Sequence, residues 1–497
     1  MRRVLRALVP IHRYVGIAMC VLFAMWFASG IVMLFVPYPV LTTAERFHGM
    51  TPLDLGKCCV SPAAAYAQSG LTQPLERMRL IMVLDRPVFQ LHPWDGAIVS
   101  VFADTGDPLP GLDAQQAVSV AQSFSNSAGV SHLELSEYDQ WTVPNGLDAY
   151  RPFHRIAFND SDGAELYVSQ RTGEVLRDTT AFERRWNYVG SVVHWIYPTV
   201  LRKDWAMWDR VVWYGSLIGI AGALTGIVLG IMRLRFRKPY PSGRHSPFRG
   251  WMYWHHILGI GCSLFVLTWI FSGWLSMDHG RLFAKPHATR VERERFMGGP
   301  FRPERFAMPS LPAEIASAKE IEFIQVAGVA FYRVRIDAER QRVVAVNKMK
   351  MPGSEFEQSV LTRAAQSAFD SVRLLGVDRL NRNDAYYYTT DGSVSPPMLR
   401  FRFDDPAKTW LHIDPASGEI VEKVDASRRL YRWLFNGLHR LDFPFLAGRP
   451  TIRQTCIVSL CALGFVFSVT GAVIACRRLM RDLSAGHSRL RSALQLR

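Results

Sequence analysis

The 497-residue chain has no Cys-x-x-Cys pair, no G-x-G-x-x-G run opening a helix, no phosphate-binding G-x-x-x-x-G-K loop and no His-Glu-x-x-His. Those gaps exclude c-type haem attachment and the common zinc, dinucleotide, nucleotide and metalloprotease signatures. Charged residues are scarce, at 20%, against 49% hydrophobic. Of seven cysteines, five fall inside apolar stretches, which leaves only the adjacent Cys58 and Cys59 between them. Neighbouring cysteines rarely bridge each other, so no disulfide framework is expected.

The apolar residues are concentrated. Tyr14 to Val36, Val211 to Met232, Trp251 to Met277 and Thr455 to Cys476 carry almost no charge. Each is long enough, at 1.5 Å per helical residue, to cross a hydrocarbon layer of about 30 Å. Four transmembrane helices follow. The formal charge of +15 would suggest nucleic acid, but its position argues otherwise. Residues 1–13, 233–250 and 477–497 hold the whole excess, and the two long connections taken together sum to zero. Short basic segments face the cytoplasm, so both termini are expected inside and no nucleic acid partner is expected. The first stretch runs 23 residues with no small-x-small site before Val36, and is read as a retained anchor rather than a cleaved signal.

The chain also repeats itself. A shift of 243 lays IHRYVGI over WHHILGI, carrying His12 onto His255, Gly16 onto Gly259, Trp26 onto Trp269 and Ser29-Gly30 onto Ser272-Gly273. A shift of 245 carries Gly173-Glu174 onto Gly418-Glu419, His194 onto His439, Thr225-Gly226 onto Thr470-Gly471 and Arg233 onto Arg478. Both halves begin inside, so the repeat is expected to be parallel, about an axis along the membrane normal. Between the helices, short β-rich runs such as RLIMVLD and FYRVRID accompany one helical pattern per half, from Asp113 and from Ser359. The expected fold is a membrane α-helical protein with four transmembrane helices in two duplicated halves, each bearing an α+β outer domain. The boundaries are helix 1 over 1–36, a first outer domain over 37–185, and an interfacial helix with helix 2 over 186–237. A cytoplasmic loop over 238–250, helix 3 over 251–277 and a second outer domain over 278–427 come next. An interfacial helix with helix 4 over 428–480 and a tail over 481–497 complete the chain.

The helix-opening W-H-x-x-x-G-I at Trp254, the element IDPASGEIV with its partner YVSQRTGEVL, the segment LHRLDFPFL and the V-T-G triplet at Val469 occur in one order. In this the chain resembles the PepSY-associated transmembrane proteins, which include iron-regulated inner-membrane proteins and ferrisiderophore reductases of Gram-negative bacteria. The resemblance implies periplasmic PepSY-like domains, an inner-membrane location and bound haem b, and two symmetric histidine pairs would be enough for two haems. The first half departs from the pattern at His194-Trp195-Ile196-Tyr197-Pro198, which stands where the second has His439-Arg440-Leu441-Asp442-Phe443.

Intramembrane ionisable residues are expensive and often functional, so the histidines are the first candidates. His12 and His255 occupy equivalent cytoplasmic helix starts, and His194 and His439 are equivalent at the other end. A twofold axis would make each pair face across one depth, which is what bis-histidine haem ligation needs. Any one of them alone is better read as a helix cap or headgroup contact. That the four hold haem iron is what the resemblance implies. His256 competes on the cytoplasmic side, although its mate is Arg13, and His279, whose mate is Val36, is a further candidate ligand. Arg13, Arg440, Arg184 and Arg429 read equally as partners for haem propionates or as interface anchors. The tryptophans around helix 2 read as an aromatic belt. The expected activity is transfer of electrons to the periplasm, reducing Fe(III) held by a siderophore to Fe(II). The donor is a membrane quinol or a separate electron donor, and the lipid bilayer is the setting. The alternative is a non-catalytic membrane protein whose PepSY-like domains bind a peptide or protease, or one that assists siderophore or metal uptake.

Overall fold

The computed structural model describes residues 2–125, 129–308, 317–346, 355–388 and 394–495, without the side chains of 2–5 and 485–495; the last two residues of the expected tail lie outside it. Six helices carry the argument: α1 (Arg2–Phe35), α2 (Ala114–Ser125), α3 (Trp205–Arg233), α4 (Gly250–Ser276), α5 (Gln358–Ala368) and α6 (Pro450–Gln495). Four of these are long and apolar enough to cross a membrane, over Arg6–Phe35, Trp205–Arg233, Gly250–Ser276 and Pro450–Ser484. Helices suit that setting because each backbone N–H and C=O is satisfied within its own segment. The helices outrun the apolar stretches that announced them. α1 begins at Arg2 and α6 continues to Gln495, because basic residues are good helix formers and carry the helix past its apolar part.

Contacts divide the chain into two units. The first comprises residues 1–38, 185–282 and 431–497, and contains the four long helices. Its centre is Phe27, Cys262, Val266 and Cys461, with Phe23, Phe265 and Trp269 around them. Small residues let the helices approach closely. A Cβ on Gly222 would fall 2.9 Å from Val15, and one on Gly464 2.6 Å from Phe27. The segments expected as interfacial helices are short and broken. Ala181–Val189 is followed by one turn at Ser191–His194, while Ala426–Tyr431 runs into a π-helical stretch, Arg432–Gly437, and a turn at Leu438–Arg440. π-Helical turns often mark functional positions, and this one directly precedes His439.

The second unit comprises residues 39–184 and 283–430. Its three antiparallel sheets use strands β1 (Leu75–Val83), β2 (Arg86–Pro93), β3 (Val99–Phe102), β4 (Val130–Ser136), β5 (Phe153–Phe158), β6 (Glu165–Ser169) and β7 (Val175–Thr179). From the later segment come β8 (Glu320–Val326), β9 (Val329–Arg335), β10 (Gln341–Ala345), β11 (Leu374–Leu380), β12 (Met398–Phe403), β13 (Trp410–Ile413) and β14 (Ile420–Val424). One sheet has the order β10-β9-β8-β1-β2-β3 and so draws three strands from each segment; the others are β4-β5-β6-β7 and β11-β12-β13-β14. α2 packs Ala117 and Ala121 onto Ile156 and Val168, and α5 packs Leu361 and Ala365 onto Phe401 and Leu411. These are the α+β layers expected from the 3.6-residue and two-residue periodicities. Where β1 meets β8, Met78 pairs with Phe323 and Arg79 with Glu322.

A buried ionic cluster sits on that central pair. Arg79 lies 2.8 Å from Glu174 and 3.1 Å from Glu320, and Arg46 adds Glu174 at 3.2 Å and Glu320 at 2.5 Å. Burial by itself would raise the Glu320 carboxyl, but Arg46, Arg79 and Arg335 outweigh it and hold it well below the usual carboxylate range.

Candidate functional site

In the first unit two histidines from different helices meet at each of two depths. His12 on α1 and His255 on α4 have ring centres 6.4 Å apart, with planes inclined at 36°. His194 and His439 have the same 6.4 Å spacing, inclined at 73°. Two imidazoles sharing one metal ion through nitrogens at about 2 Å each bring their ring centres to about 6 Å. Both pairs meet that condition.

The hydrogen bonds fix which nitrogen is available. Thr470 donates its hydroxyl to the Phe467 carbonyl at 2.6 Å, so its oxygen accepts from His255 Nδ1 at 3.0 Å. Ser29 donates to the Met25 carbonyl at 2.7 Å and accepts from His194 Nδ1 at 3.0 Å. Ser272 donates to Trp269 at 3.1 Å and accepts from His439 Nδ1 at 3.0 Å. His12 Nδ1 donates to the Gly222 carbonyl at 3.1 Å. All four imidazoles are thereby held with the proton on Nδ1 and a lone pair on Nε2, and no hydrogen-bond partner of any Nε2 occurs among the described residues. This is the form in which histidine binds a metal, with its second nitrogen oriented by an outer partner. Burial pushes the His194–His439 pair down, His194 to about 3, with His439 adding to the shift, and His439 to about 4, so both are neutral.

Each ring lies against a glycine. A Cβ on Gly226 would fall 2.6 Å from His12 Cε1, and one on Gly471 would fall 3.3 Å from His255 Cε1. Beside the His12–His255 pair is a cavity of about 500 Å³, lined by both histidines, Gly16, Gly259 and three arginines, Arg13, Arg233 and Arg478. It is predominantly apolar with cations at its edge, the chemistry that a flat macrocycle carrying two carboxylates requires. Ser29 and Ser272 each stand 17 residues beyond the histidine on their own helix, which separates the two depths by about 25 Å along the axis.

The other candidates are placed differently. His256 is buried and uses both ring nitrogens, Nδ1 with Ser246 Oγ at 2.8 Å and Nε2 with the Gly230 carbonyl at 2.9 Å. His279 pairs with Asp209 and lies over the Trp213 ring at 4.9 Å. Arg13 lines the cavity beside His12 and His255, whereas Arg440 makes an ion pair with Asp442 at 3.3 Å. Arg184 and Arg429 belong to the second unit, bound to Glu165 at 3.1 Å and over the Trp410 ring at 4.1 Å. Burial, with Asp54 and Cys59 nearby, pushes the Cys58 thiol up to about 11, so it is protonated at neutral pH.

Sequence reasoning passed over the hydroxyl residues and two of the cavity arginines. The signal was present, since Ser29-Gly30, Thr470-Gly471 and Arg233 with Arg478 all recur in the repeat. Among the described residues no group of three or more His, Cys, Asp and Glu gathers to hold a metal ion, so the histidine candidates come in twos. Set against known proteins, the chain matches no family model and no curated protein.

Proposed function

We propose that the chain is a haem-containing inner-membrane reductase that passes electrons to the periplasm and reduces ferric siderophore, releasing Fe(II). The observation that carries this reading is the pair of facing histidine couples, each with Nδ1 donated away and Nε2 bare. His12 with His255 and His194 with His439 are the residues that would hold two haems b. Haem iron supplies one-electron chemistry, alternating between ferric and ferrous states.

The chain's own residues do the positioning. Thr470, Ser29, Ser272 and the Gly222 carbonyl orient the imidazoles, and Arg13, Arg233 and Arg478 offer cations at the edge of the inner cavity. The apolar cluster around Phe27 fills the space between the two depths and excludes water. The basic segments 1–13, 233–250 and 477–497 favour a cytoplasmic face for the His12–His255 end, which leaves His194 and His439 toward the periplasm. A siderophore's hard oxygen donors favour Fe(III), so adding one electron loosens the iron without breaking the chelator.

Duplication is supported by the sheet as well as by the sequence. Its order β10-β9-β8-β1-β2-β3 reads as two runs of three meeting back to back, and Met78 pairs there with Phe323, its partner at the shift of 245. This agrees with the resemblance to PepSY-associated transmembrane proteins, with the two β-rich segments as periplasmic domains.

A dithionite-reduced minus oxidised absorption spectrum of detergent-purified protein, with haem counted per chain, tests the reading. Two b-type haems are expected, with one lost in His12→Ala and one in His439→Ala. Colourless protein from cells supplied with iron and haem would leave the binding-module alternative.

A further inference from the structure

The connection between α3 and α4 is folded, although it is short and strongly charged. Residues 233–250 hold five arginines and one lysine and no carboxylate. Gly243, with φ +73°, makes the turn. Around it the Tyr240 N–H donates to the Arg244 carbonyl at 2.8 Å and the Arg235 N–H to the His245 carbonyl at 3.0 Å. The Tyr240 hydroxyl donates to the Arg233 carbonyl at 3.0 Å. Two guanidinium groups lie over rings, Arg235 over Tyr240 at 4.0 Å and Arg244 over Tyr253 at 5.4 Å. Arg235, Arg237, Lys238 and Arg244 are nonetheless exposed, with no carboxylate partner among the described residues. Phe236 stands among them, 74% exposed. The loop starts and ends at the cavity beside His12 and His255, which both Arg233 and Phe248 line.

Keeping a loop in one conformation costs about 1–2 kcal/mol of chain entropy per residue. A loop that is already ordered while its cations stay exposed is preorganised for a partner of matching spacing. A lipid surface attracts a basic segment diffusely and asks for no particular spacing. The turn itself, residues 239–243, also has no Leu, Ile, Val or Met to enter acyl chains. Guanidinium groups held around an exposed aromatic ring suit a protein face that carries carboxylates, because the planar fork binds a carboxylate through two hydrogen bonds.

We infer that the loop 234–249 is the docking surface for an acidic electron-carrier protein, which delivers single electrons at the His12–His255 end. This rests on the reductase reading and names the class of its donor. The exchange makes and breaks no bond: the reduced carrier loses one electron and the chain gains it. Redox encounters of this kind bury less than about 1,200 Å² and depend on charge for orientation and rate, so a compact patch of exposed cations is sufficient.

The test uses the full chain in nanodiscs of phosphatidylcholine alone, titrated with dye-labelled flavodoxin, an acidic one-electron flavoprotein, while fluorescence anisotropy is followed. Saturable binding is expected, weakening about tenfold as salt rises from about 50 to about 300 mM. The combined variant Arg235→Gln, Arg237→Gln and Lys238→Gln should weaken it by about tenfold. Haem reduction by reduced flavodoxin should slow by a similar factor in that variant while reduction by dithionite is unchanged, with unaltered melting showing that it folds. Absence of binding by the wild type, or equal binding by the variant, would overturn the inference. So would a variant that loses co-purifying phosphatidylglycerol yet binds flavodoxin as the wild type does, which would make the loop a lipid contact. Colourless protein would instead remove the reductase reading, and the anisotropy titration, which needs no haem, would still judge the docking surface by itself.

Discussion

Thr470 accepts the Nδ1 proton of His255 because its own hydroxyl proton is already committed to the Phe467 carbonyl. A hydroxyl has one proton to give, so this single geometry selects the tautomer of a histidine in another helix. Replacing Thr470 with valine keeps the shape and removes the acceptor. Outer partners of ligating histidines commonly contribute about 10–100-fold in affinity. On the proposed haem reading, Thr470→Val is expected to weaken haem retention at the His12–His255 pair by about that factor, measured as haem retained per chain after competition with apomyoglobin. The outer pair, oriented by Ser29 and Ser272, should be untouched.

Gly226 supplies a steric counterpart. Its hypothetical Cβ would come within 2.6 Å of His12 Cε1, closer than unbonded carbons are found. Gly226→Ala must displace the imidazole and is expected to drop the haem count from two to one while costing about 1–3 kcal/mol in stability. Gly215→Ala on the same helix, with nothing within 4 Å of the added methyl and away from the cavity lining, is the control and should retain both. Equal haem content in the two variants, by pyridine haemochrome assay, would contradict the placement of His12.

The histidine pairs were legible in sequence because matching segments recur at fixed shifts and so relate histidines that look isolated singly. His12 and His255, or His194 and His439, are unremarkable singly and informative at a fixed shift. The hydroxyl partners were harder to see, because serine and threonine in apolar helices commonly return their proton to a carbonyl one turn back, and only coordinates reveal whether the oxygen then accepts. The asymmetry between halves was equally hidden. Thr225, the mate of Thr470, turns its hydroxyl to the Ala221 and Gly222 carbonyls, and His12 uses the Gly222 carbonyl directly. The α+β layers followed from periodicity, whereas the pairing of β1 with β8 did not. A strand's pattern states which face is buried and says nothing of which strand lies beside it.

The ionic cluster at that pairing gives the second unit a defined response to acid. Glu320 and Glu174 are both held below their usual range in the folded protein, against the burial that would raise them, chiefly by Arg79 and Arg46. Carboxyls depressed on folding contribute stability that is complete above the unfolded value, about 4–5, and is lost as pH falls toward the folded one. Thermal unfolding followed by circular dichroism should thus show a melting temperature flat from pH 7 to about 5 and falling below that. Glu320→Gln leaves Arg79, with 4% of its side chain exposed, short of a buried partner, and is expected to cost about 3–5 kcal/mol at neutral pH while flattening the acid response.

His255 and His256 are adjacent in sequence and separate two roles that composition cannot distinguish. A ligand needs a nitrogen with nothing bound to it, and His256 has none to spare: Ser246 Oγ holds Nδ1 and the Gly230 carbonyl accepts from Nε2. Its ring also lies edge-on to Phe248, with centres 5.4 Å apart, which ties the loop before α4 to the end of α3. The role is structural. His256→Ala should therefore keep both haems and lower stability by about 1–3 kcal/mol, since a buried carbonyl and a buried hydroxyl lose their partner. His255→Ala should do the reverse, losing one haem with a smaller change in melting of the haem-free protein, because its Nε2 satisfies nothing in the chain. Measuring haem per chain and apoprotein melting on the two variants side by side separates ligand from strut. If His256→Ala lost the haem and His255→Ala kept it, the assignment of the inner pair would pass to His256.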